Sequence, residues 1–227
     1  MLRLLLIELL LLLSFSTVEA QSDNNVKSSY LSSHYSKRLA QFESEDLQKC
    51  DFLFLGNSIT ERGKWQELIG DNWLIANRGI GGDNTFGVLA RLTNTLALSP
   101  KKIFLMIGIN DIGQGARTED IISNIDKIIK VTYESLPHVE LYIQSILPVN
   151  HTMTAYTKGR HLEIIQINNT LKHRYSERKN IKFLDLYSLF SDETGSLATQ
   201  FTTDGVHLNE SAYELWVDFL RTNGCFD

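Results

Sequence analysis

Cysteine and histidine are scarce in this chain, and their scarcity limits the chemistry available to it. Only two of the 227 residues are cysteines, and the six histidines are scattered along the sequence. A zinc site takes three or four nitrogen, sulfur or oxygen ligands from the protein, and this distribution does not group them. We therefore predict a protein that works without a bound metal ion.

Positive charge and nucleotide-binding signatures are also lacking. The net charge is -5 at neutral pH and no basic patch stands out, so we expect no nucleic-acid partner. The one glycine cluster, Gly79-Ile80-Gly81-Gly82, lacks the six-residue dinucleotide fingerprint, and no Walker lysine follows it. We therefore predict no cofactor.

Long apolar runs are missing except near the N-terminus. The run from Leu4 to Leu13 is too short for a comfortable membrane span. It follows a positive charge at Arg3 and precedes the small residues of Val18-Glu19-Ala20. This pattern is typical of a secretory signal, so we predict that residues 1–20 are a cleaved signal peptide. The mature protein would then be secreted or periplasmic, without a stable membrane anchor; an uncleaved N-terminal anchor is the alternative.

The rest of the chain has the composition of one folded domain. Hydrophobic residues make up 43% of the sequence and charged residues 22%. We predict a single domain at residues 21–227, with an N-terminal helix at about 29–45 and a core at about 50–222. An apolar stripe of Leu31, Tyr35, Leu39 and Phe42 supports the N-terminal helix.

Five short apolar runs alternate with helical patterns after residue 50. The runs cover residues 52–55, 73–76, 102–107, 139–146 and 181–186. We expect a helix starting at the N-cap Thr118, another through Leu162, Ile165 and Asn169, and a last one capped by Asn209. Strands alternating with helices predict an α/β fold with a parallel sheet covered on both faces.

Four polar segments follow predicted strands or precede the last helix. They are Gly56-Asn57-Ser58-Ile59, Gly79-Ile80-Gly81-Gly82, Gly108-Ile109-Asn110-Asp111 and Asp204-Gly205-Val206-His207. Because ligands of such sheets bind beyond the carboxyl ends of the strands, we expect all four segments to meet at one edge.

Together these segments contain the groups needed for acyl transfer through a serine. Ser58 is the candidate nucleophile, His207 the base, and Asp204, three residues earlier, the carboxylate that orients it. Gly82 and Asn110, with the backbone N–H of Ser58, are the candidate oxyanion-hole donors. Taken singly, each has an ordinary alternative: a helix cap, a tight turn, an Asx turn or a surface charge pair. Their common edge and order favour the catalytic interpretation.

These motifs resemble those of the SGNH hydrolases, also called GDSL-like lipases and acylhydrolases, over roughly Asp51 to Leu220. The stretch from Asn77 to Asp83 is similar to the platelet-activating-factor acetylhydrolase catalytic-subunit-like group. The resemblance implies a flavodoxin-like, three-layer α/β/α sandwich with a five-stranded parallel sheet of order 2-1-3-4-5. It also implies the roles assigned above to Ser58, Gly82, Asn110, Asp204 and His207. One departure is Asn57, where the family usually has Asp; we expect Asn57 to keep a turn contact as an acceptor.

Two further expectations concern residues around this domain. Cys50 precedes the first strand and Cys225 follows the last helix, so both should lie at the opposite edge of the sheet. We consider a disulfide between them, with two unpaired thiols as the alternative. Arg78 and Arg117 lie near the predicted mouth of the site and are candidate contacts for a polar leaving group; surface ion pairing is the alternative for both.

The predicted reaction is ester hydrolysis through an acyl-enzyme. Loops beyond the strands are short and no apolar insertion could form a lid, which favours a short acyl group such as acetyl. Together with export, this favours O-acetyl groups on carbohydrate as the substrate. The alternatives are a lipid-directed acylhydrolase, lysophospholipase or thioesterase and, in another class, a catalytically silent glycan-binding module. The sequence does not indicate an oligomeric state.

Overall fold

A computed structural model describes residues 28, 30–157, 159–176 and 178–227. The predicted signal peptide, residues 1–20, lies outside the described residues. Within the described part of the chain, no helix is both long enough and apolar enough to cross a membrane.

Five parallel strands form one sheet in the order β2-β1-β3-β4-β5, which confirms the predicted fold class. The strands are β1 (Phe52–Gly56), β2 (Ile75–Gly79), β3 (Lys102–Met106), β4 (Glu140–Gln144) and β5 (Ile181–Leu184). Every residue of β1 and β3 is buried, as expected for central strands covered on both faces. β2 begins two residues later than predicted, because it pairs in register with β1 from Phe52↔Ile75 to Gly56↔Gly79.

Helices surround the sheet. They are α1 (Ser33–Ser44), α2 (Ser58–Glu61), α3 (Trp65–Ile69), α4 (Thr85–Leu96), α5 (Ile109–Gly113), α6 (Thr118–Ser135), α7 (His161–Tyr175), α8 (Leu186–Phe190) and α9 (Glu210–Thr222), with a 3₁₀ turn at Thr199–Phe201. α1 falls inside the predicted range 29–45, but Leu31 of the predicted stripe precedes it and is exposed.

Helix ends follow the predicted caps in one case and not in another. Asn209 caps α9, its side chain accepting a hydrogen bond from the N–H of Ala212 at 3.1 Å. The N-cap of α6 is Arg117 rather than the predicted Thr118. Thr118 donates its hydroxyl to Glu163 Oε2 of α7 at 3.0 Å, so its side chain makes a tertiary contact instead of a cap.

α7 turns a different face to the core from the one predicted. Ile164, Ile167, Asn168 and Leu171 are buried, whereas Leu162 is 65% exposed. Ile164, Ile167 and Leu171 form an apolar stripe, and the Asn168 amide beside them donates to the carbonyl of Ile146 and accepts from its N–H, both at 2.8 Å. This pair of bonds joins α7 to the chain just after β4.

An aromatic stack on one face of the sheet holds the last helix in place. Phe54, Phe104 and Tyr142 lie on adjacent strands and stack at centroid distances of 4.6 and 4.8 Å. Trp65 of α3 stacks on Phe54 at 4.0 Å, and Trp216 of α9 meets its edge at 4.9 Å. Because α9 begins three residues after His207, this packing also positions the loop that carries His207.

The structure does not contain the disulfide considered between Cys50 and Cys225. Both are free, buried thiols. Burial raises the pKa of the Cys50 thiol to about 12, although the positive charge of Arg78 in β2 acts to lower it. Burial also raises the pKa of Cys225 to about 11, although the positive charges of Lys182 in β5 and Lys102 in β3 act to lower it. Cys50 lies just before β1, whereas the carbonyl of Cys225 accepts a hydrogen bond from Lys102 Nζ of β3 at 3.2 Å, so the two residues lie beside different strands.

Candidate active site

The turn between β1 and α2 places Ser58 beyond the carboxyl end of β1. Asn57 caps α2 by accepting the N–H of Ile59 at 3.0 Å, which is the expected acceptor contact in place of the usual Asp. α2 approaches the sheet so closely that a Cβ at Gly56 would collide with Thr60, and one at Gly79 with the backbone of Glu61. Glycine at both strand ends therefore lets this helix, and Ser58 with it, sit directly on the sheet.

Ser58, His207 and Asp204 form one hydrogen-bonded chain. Ser58 Oγ lies 2.9 Å from His207 Nε2, and His207 Nδ1 lies 2.6 Å from Asp204 Oδ2. The other carboxylate oxygen of Asp204 accepts the N–H groups of Val206 at 2.9 Å and His207 at 2.7 Å. Residues 149 positions apart in sequence thus meet in the order hydroxyl, imidazole, carboxylate.

The electrostatic setting keeps Asp204 ionised. Burial alone would raise the pKa of this carboxyl, but the hydrogen bonds from the backbone and side chain of His207 and from Val206 lower it to about 2. A charged carboxylate on Nδ1 fixes the imidazole tautomer that leaves Nε2 free to accept a proton from Ser58.

Two predicted oxyanion residues lie beside Ser58. Gly82 has φ of +79°, and an added Cβ there would meet no atom within 4 Å, so its backbone borders open space. Among the described residues, no hydrogen bond occupies the N–H of Gly82 or of Ser58. Asn110 of α5 donates one amide hydrogen to the carbonyl of Asp83 at 2.7 Å, which leaves its second N–H available.

The predicted catalytic and oxyanion residues all line one cavity of about 380 Å³. Its lining consists of Ser58, Gly82, Ile109, Asn110, Thr154, Tyr156, Asp204, Val206 and His207. Among these, Thr154 and Tyr156 come from an irregular segment after β4 and are not among the predicted site residues. The sequence of that segment has neither the period of a strand nor that of a helix, so no pattern in it indicates a position at the site.

Two buried carboxyl groups, Asp83 and Asp111, lie next to the oxyanion residues in sequence and tie them to α4. Asp83 follows Gly82 and forms an ion pair with Arg91, whose Nε and Nη2 lie 2.9 and 2.8 Å from Oδ2. Asp111 follows Asn110 and accepts the hydroxyl of Thr85 at 2.6 Å. Burial raises the pKa of Asp83 to about 6 and that of Asp111 to about 7. Each of these aspartates directly follows a predicted oxyanion residue in the sequence, and this adjacency is the signal by which they can be found.

Arg78 does not lie at the mouth of the cavity, which corrects the predicted substrate contact. It is 4% exposed and forms an ion pair with Glu45 at 2.7 Å. Its guanidinium also lies over the ring of Phe42 in α1 at 4.4 Å. α1 covers this side of β2, and no local sequence pattern indicates that long-range contact. Arg117 pairs with Asp120 at the surface.

Comparison with known proteins agrees with this fold. The GDSL-like lipase/acylhydrolase family matches residues 54–215. The platelet-activating factor acetylhydrolase IB subunit alpha2 of Gallus gallus is 27% identical over 169 residues, covering 72% of this chain and 71% of that protein.

Solved structures repeat the same pattern. A Streptococcus pneumonia protein provisionally described as a platelet activating factor has a TM-score of 0.71 and 27% identity, covering 92% of this chain and 98% of that one. A catalytic mutant of an acetylxylan esterase from Geobacillus stearothermophilus shares the fold, with a TM-score of 0.62 and 17% identity over 76% of this chain and 93% of its own.

The chain belongs to the GDSL-like lipase/acylhydrolase family. This confirms the resemblance seen in the sequence and the predicted class of enzyme, a carboxylic ester hydrolase.

Proposed function

We propose that this protein is a secreted or periplasmic serine esterase that removes acetyl groups, with O-acetylated carbohydrate as its substrate. The observation that carries the catalytic part is the 2.9 Å contact between Ser58 Oγ and His207 Nε2, backed by the 2.6 Å contact of His207 with Asp204.

The reaction follows from that geometry. Ser58 Oγ attacks the ester carbonyl while His207 Nε2 takes its proton, and the same proton then goes to the departing alcohol. The negative charge on the carbonyl oxygen is stabilised by the N–H groups of Ser58 and Gly82 and by the amide of Asn110. Water, deprotonated by His207, attacks the acyl-enzyme in the same way and releases the acid and free Ser58.

The acetyl preference rests on the cavity walls. Ile109 and Val206 line the cavity with apolar side chains, and Thr154 and Tyr156 border the same space of about 380 Å³. No long apolar channel leads from Ser58 within the cavity lining described above. The name of the vertebrate relatives, which specifies an acetylhydrolase, agrees with a small acyl group. The carbohydrate part rests on the predicted export and on the open, partly polar site.

The variant Ser58→Ala tests the catalytic assignment. We expect kcat on p-nitrophenyl acetate to fall by roughly 10⁴–10⁶-fold with no loss of thermal stability, because the hydroxyl is the attacking group and makes no core contact. Ser123→Ala, at an exposed position of α6, is the matched control and should leave kcat unchanged. Activity retained by Ser58→Ala would contradict the assignment.

Acyl length and alcohol are tested separately. We expect kcat/KM for p-nitrophenyl acetate to exceed that for the octanoate by tenfold or more, and acetate to be released from acetylated xylan or acetylated sialic acid. Preference for octanoate would favour the lipid-directed alternative. Saturable glycan binding without turnover of any ester would favour a silent binding module.

A further inference from the structure

An irregular segment after β4 connects the two halves of the candidate site. The N–H of Asn150 donates to the carbonyl of Gly205, in the loop that carries Asp204 and His207, at 2.8 Å. The Asn150 side chain donates to the carbonyl of Leu197, also at 2.8 Å. Six residues later, Tyr156 reaches α5, which carries Asn110. The segment therefore holds fixed positions relative to both the imidazole and the amide donor.

Tyr156 is wedged against the helix that carries Asn110. Its hydroxyl donates to Asn110 Oδ1 at 2.5 Å. Its ring lies against Gly113, the last residue of α5, where an added Cβ would come within 2.7 Å of the ring carbon Cζ. Only glycine at this position leaves room for the ring, so the hydroxyl approaches Asn110 along a defined direction.

These contacts decide which way the Asn110 amide points. The carbonyl oxygen of Asp83 accepts from Nδ2 at 2.7 Å, and the Tyr156 hydroxyl donates to Oδ1. A rotation of the amide by 180° would set two carbonyl oxygens against each other and point the hydroxyl at an NH₂ group. The second N–H of Nδ2 is the one left for the oxyanion. A hydrogen bond accepted by the amide oxygen also polarises that N–H and makes it a stronger donor.

We propose that Tyr156 is a positioning residue for ester hydrolysis, holding the Asn110 amide so that its free N–H faces the developing oxyanion. This inference rests on the proposed function of the site. Burial raises the pKa of Tyr156 to about 12, so its hydroxyl remains a proton donor over the whole working range of an esterase. Tyr156 does not touch the reacting atoms in this assignment; it acts through Asn110.

The first test is Tyr156→Phe, which keeps the ring against Gly113 and removes only the hydroxyl. We expect kcat on p-nitrophenyl acetate to fall about three- to tenfold, the worth of one hydrogen bond, with KM within twofold. The loss should appear in kcat because the oxyanion forms only in the transition state. Tyr133→Phe is the matched control: its hydroxyl donates to the carbonyl of Asn180 at 2.7 Å, before β5, and its removal should leave kcat unchanged.

A double-mutant cycle separates positioning from direct participation. Asn110→Ala alone should lower kcat by about 10²–10³-fold. If Tyr156 acts through Asn110, adding Tyr156→Phe to Asn110→Ala should lower kcat no further. Thermal unfolding of the parent protein, the two single variants and the double variant checks that each is folded at the assay temperature.

Two results would overturn the inference. One is an unchanged kcat for Tyr156→Phe. The other is a full three- to tenfold loss added by Tyr156→Phe to Asn110→Ala, which would mean that the hydroxyl acts without the amide. Either result with an inactive Ser58→Ala would leave the proposed function standing, whereas an active Ser58→Ala would remove that function itself.

Discussion

Three aspartates lie in or next to the candidate site at the carboxyl edge of the sheet. One of them, Asp204, differs from the other two, Asp83 and Asp111, in exposure, in hydrogen-bond partners and in pKa. Asp204 has a side chain 46% exposed and accepts its hydrogen bonds mainly from the two residues of its own loop, Val206 and His207. Asp83 and Asp111 are fully buried beneath the oxyanion residues. The pKa of Asp204 is lowered to about 2, whereas burial raises those of Asp83 and Asp111 to about 6 and 7.

The difference shows that carboxyl groups at one edge of a sheet can have a catalytic role or a structural role, depending on their exposure and partners. An exposed carboxylate with several N–H donors stays ionised and can stabilise a positive imidazole when the proton moves. Buried carboxyl groups are suited to fixing backbone and side chains, because each is tied to a partner on α4, Arg91 or Thr85. We therefore expect changes at Asp204 to alter turnover and changes at Asp83 or Asp111 to alter stability.

The largest effect should come from Asp204→Asn. We expect kcat to fall by about 10⁴-fold on p-nitrophenyl acetate, because an amide no longer stabilises the imidazolium and can hold the wrong tautomer. The free energy of unfolding at neutral pH should change far less. Asp192→Asn is the matched control, since Asp192 accepts similar N–H bonds in an exposed turn outside the cavity. A loss of kcat under tenfold for Asp204→Asn would contradict the distinction between a catalytic Asp204 and the structural Asp83 and Asp111.

The next effect should come from Asp83→Asn, which leaves the Arg91 guanidinium buried without its counter-charge. We expect the free energy of unfolding, measured by urea denaturation at pH 7, to fall by about 3–5 kcal/mol. Asp218→Asn, in an exposed pair with Arg221, should change it by less than about 1 kcal/mol. Equal small losses in the two variants would contradict a structural role for the buried pair.

A smaller effect should appear in the pH dependence of stability. In the unfolded chain Asp111 releases its proton near pH 4, but in the folded protein only near its raised pKa of about 7. The folded state therefore holds a proton that the unfolded state has lost, and stability from this group decreases as pH rises from about 4 to 7. Asp111→Asn cannot ionise, so relative to the parent protein it should gain up to about 4 kcal/mol across that window. Parallel stability curves for the two proteins, from urea denaturation between pH 4.5 and 7.5, would contradict this.

The smallest effect on activity should come from Arg78→Met, which extends the comparison to a buried cation outside the cavity. We expect kcat/KM within twofold of the parent value, because Arg78 contacts α1 and not the site. Stability should fall by roughly 1–2 kcal/mol, since Glu45 stays partly exposed when its partner is lost. A tenfold change in kcat/KM with small substrates would restore Arg78 as a substrate contact.

Local patterns in the sequence were sufficient to place the strands approximately, whereas their order was implied by the resemblance to the SGNH hydrolases. The apolar run at residues 52–55, which ends in glycine, falls on β1 and the run at 102–107 on β3, and the parallel arrangement brings Ser58, Gly82 and Asn110 to one cavity. What local patterns could not predict are contacts between distant segments. Arg78 turns toward α1, Thr118 bonds to α7 and Tyr156 reaches α5, and in each case the partner lies more than 30 residues away.

The cysteines illustrate the same limit in another way. Predicting that Cys50 and Cys225 share an edge used only the direction of the strands. Whether two thiols meet also depends on their positions across the sheet, where adjacent strands stand about 4.8 Å apart. The helix α7 adds a third case, because its buried face includes the polar Asn168, whose amide forms two hydrogen bonds with Ile146 in another segment.

The amides of Asn150 and Asn168 also bear on how this protein can be produced. Both lie in Asn-X-Thr sequons, yet they are only 3% and 7% exposed, and their Nδ2 atoms donate to the carbonyls of Leu197 and Ile146. A eukaryotic secretory host attaches an oligosaccharide to that same nitrogen, often before the domain has folded. A sugar there would occupy the donor and force the chain apart at the core. Expression in a host without this modification keeps both amides available for the folded state.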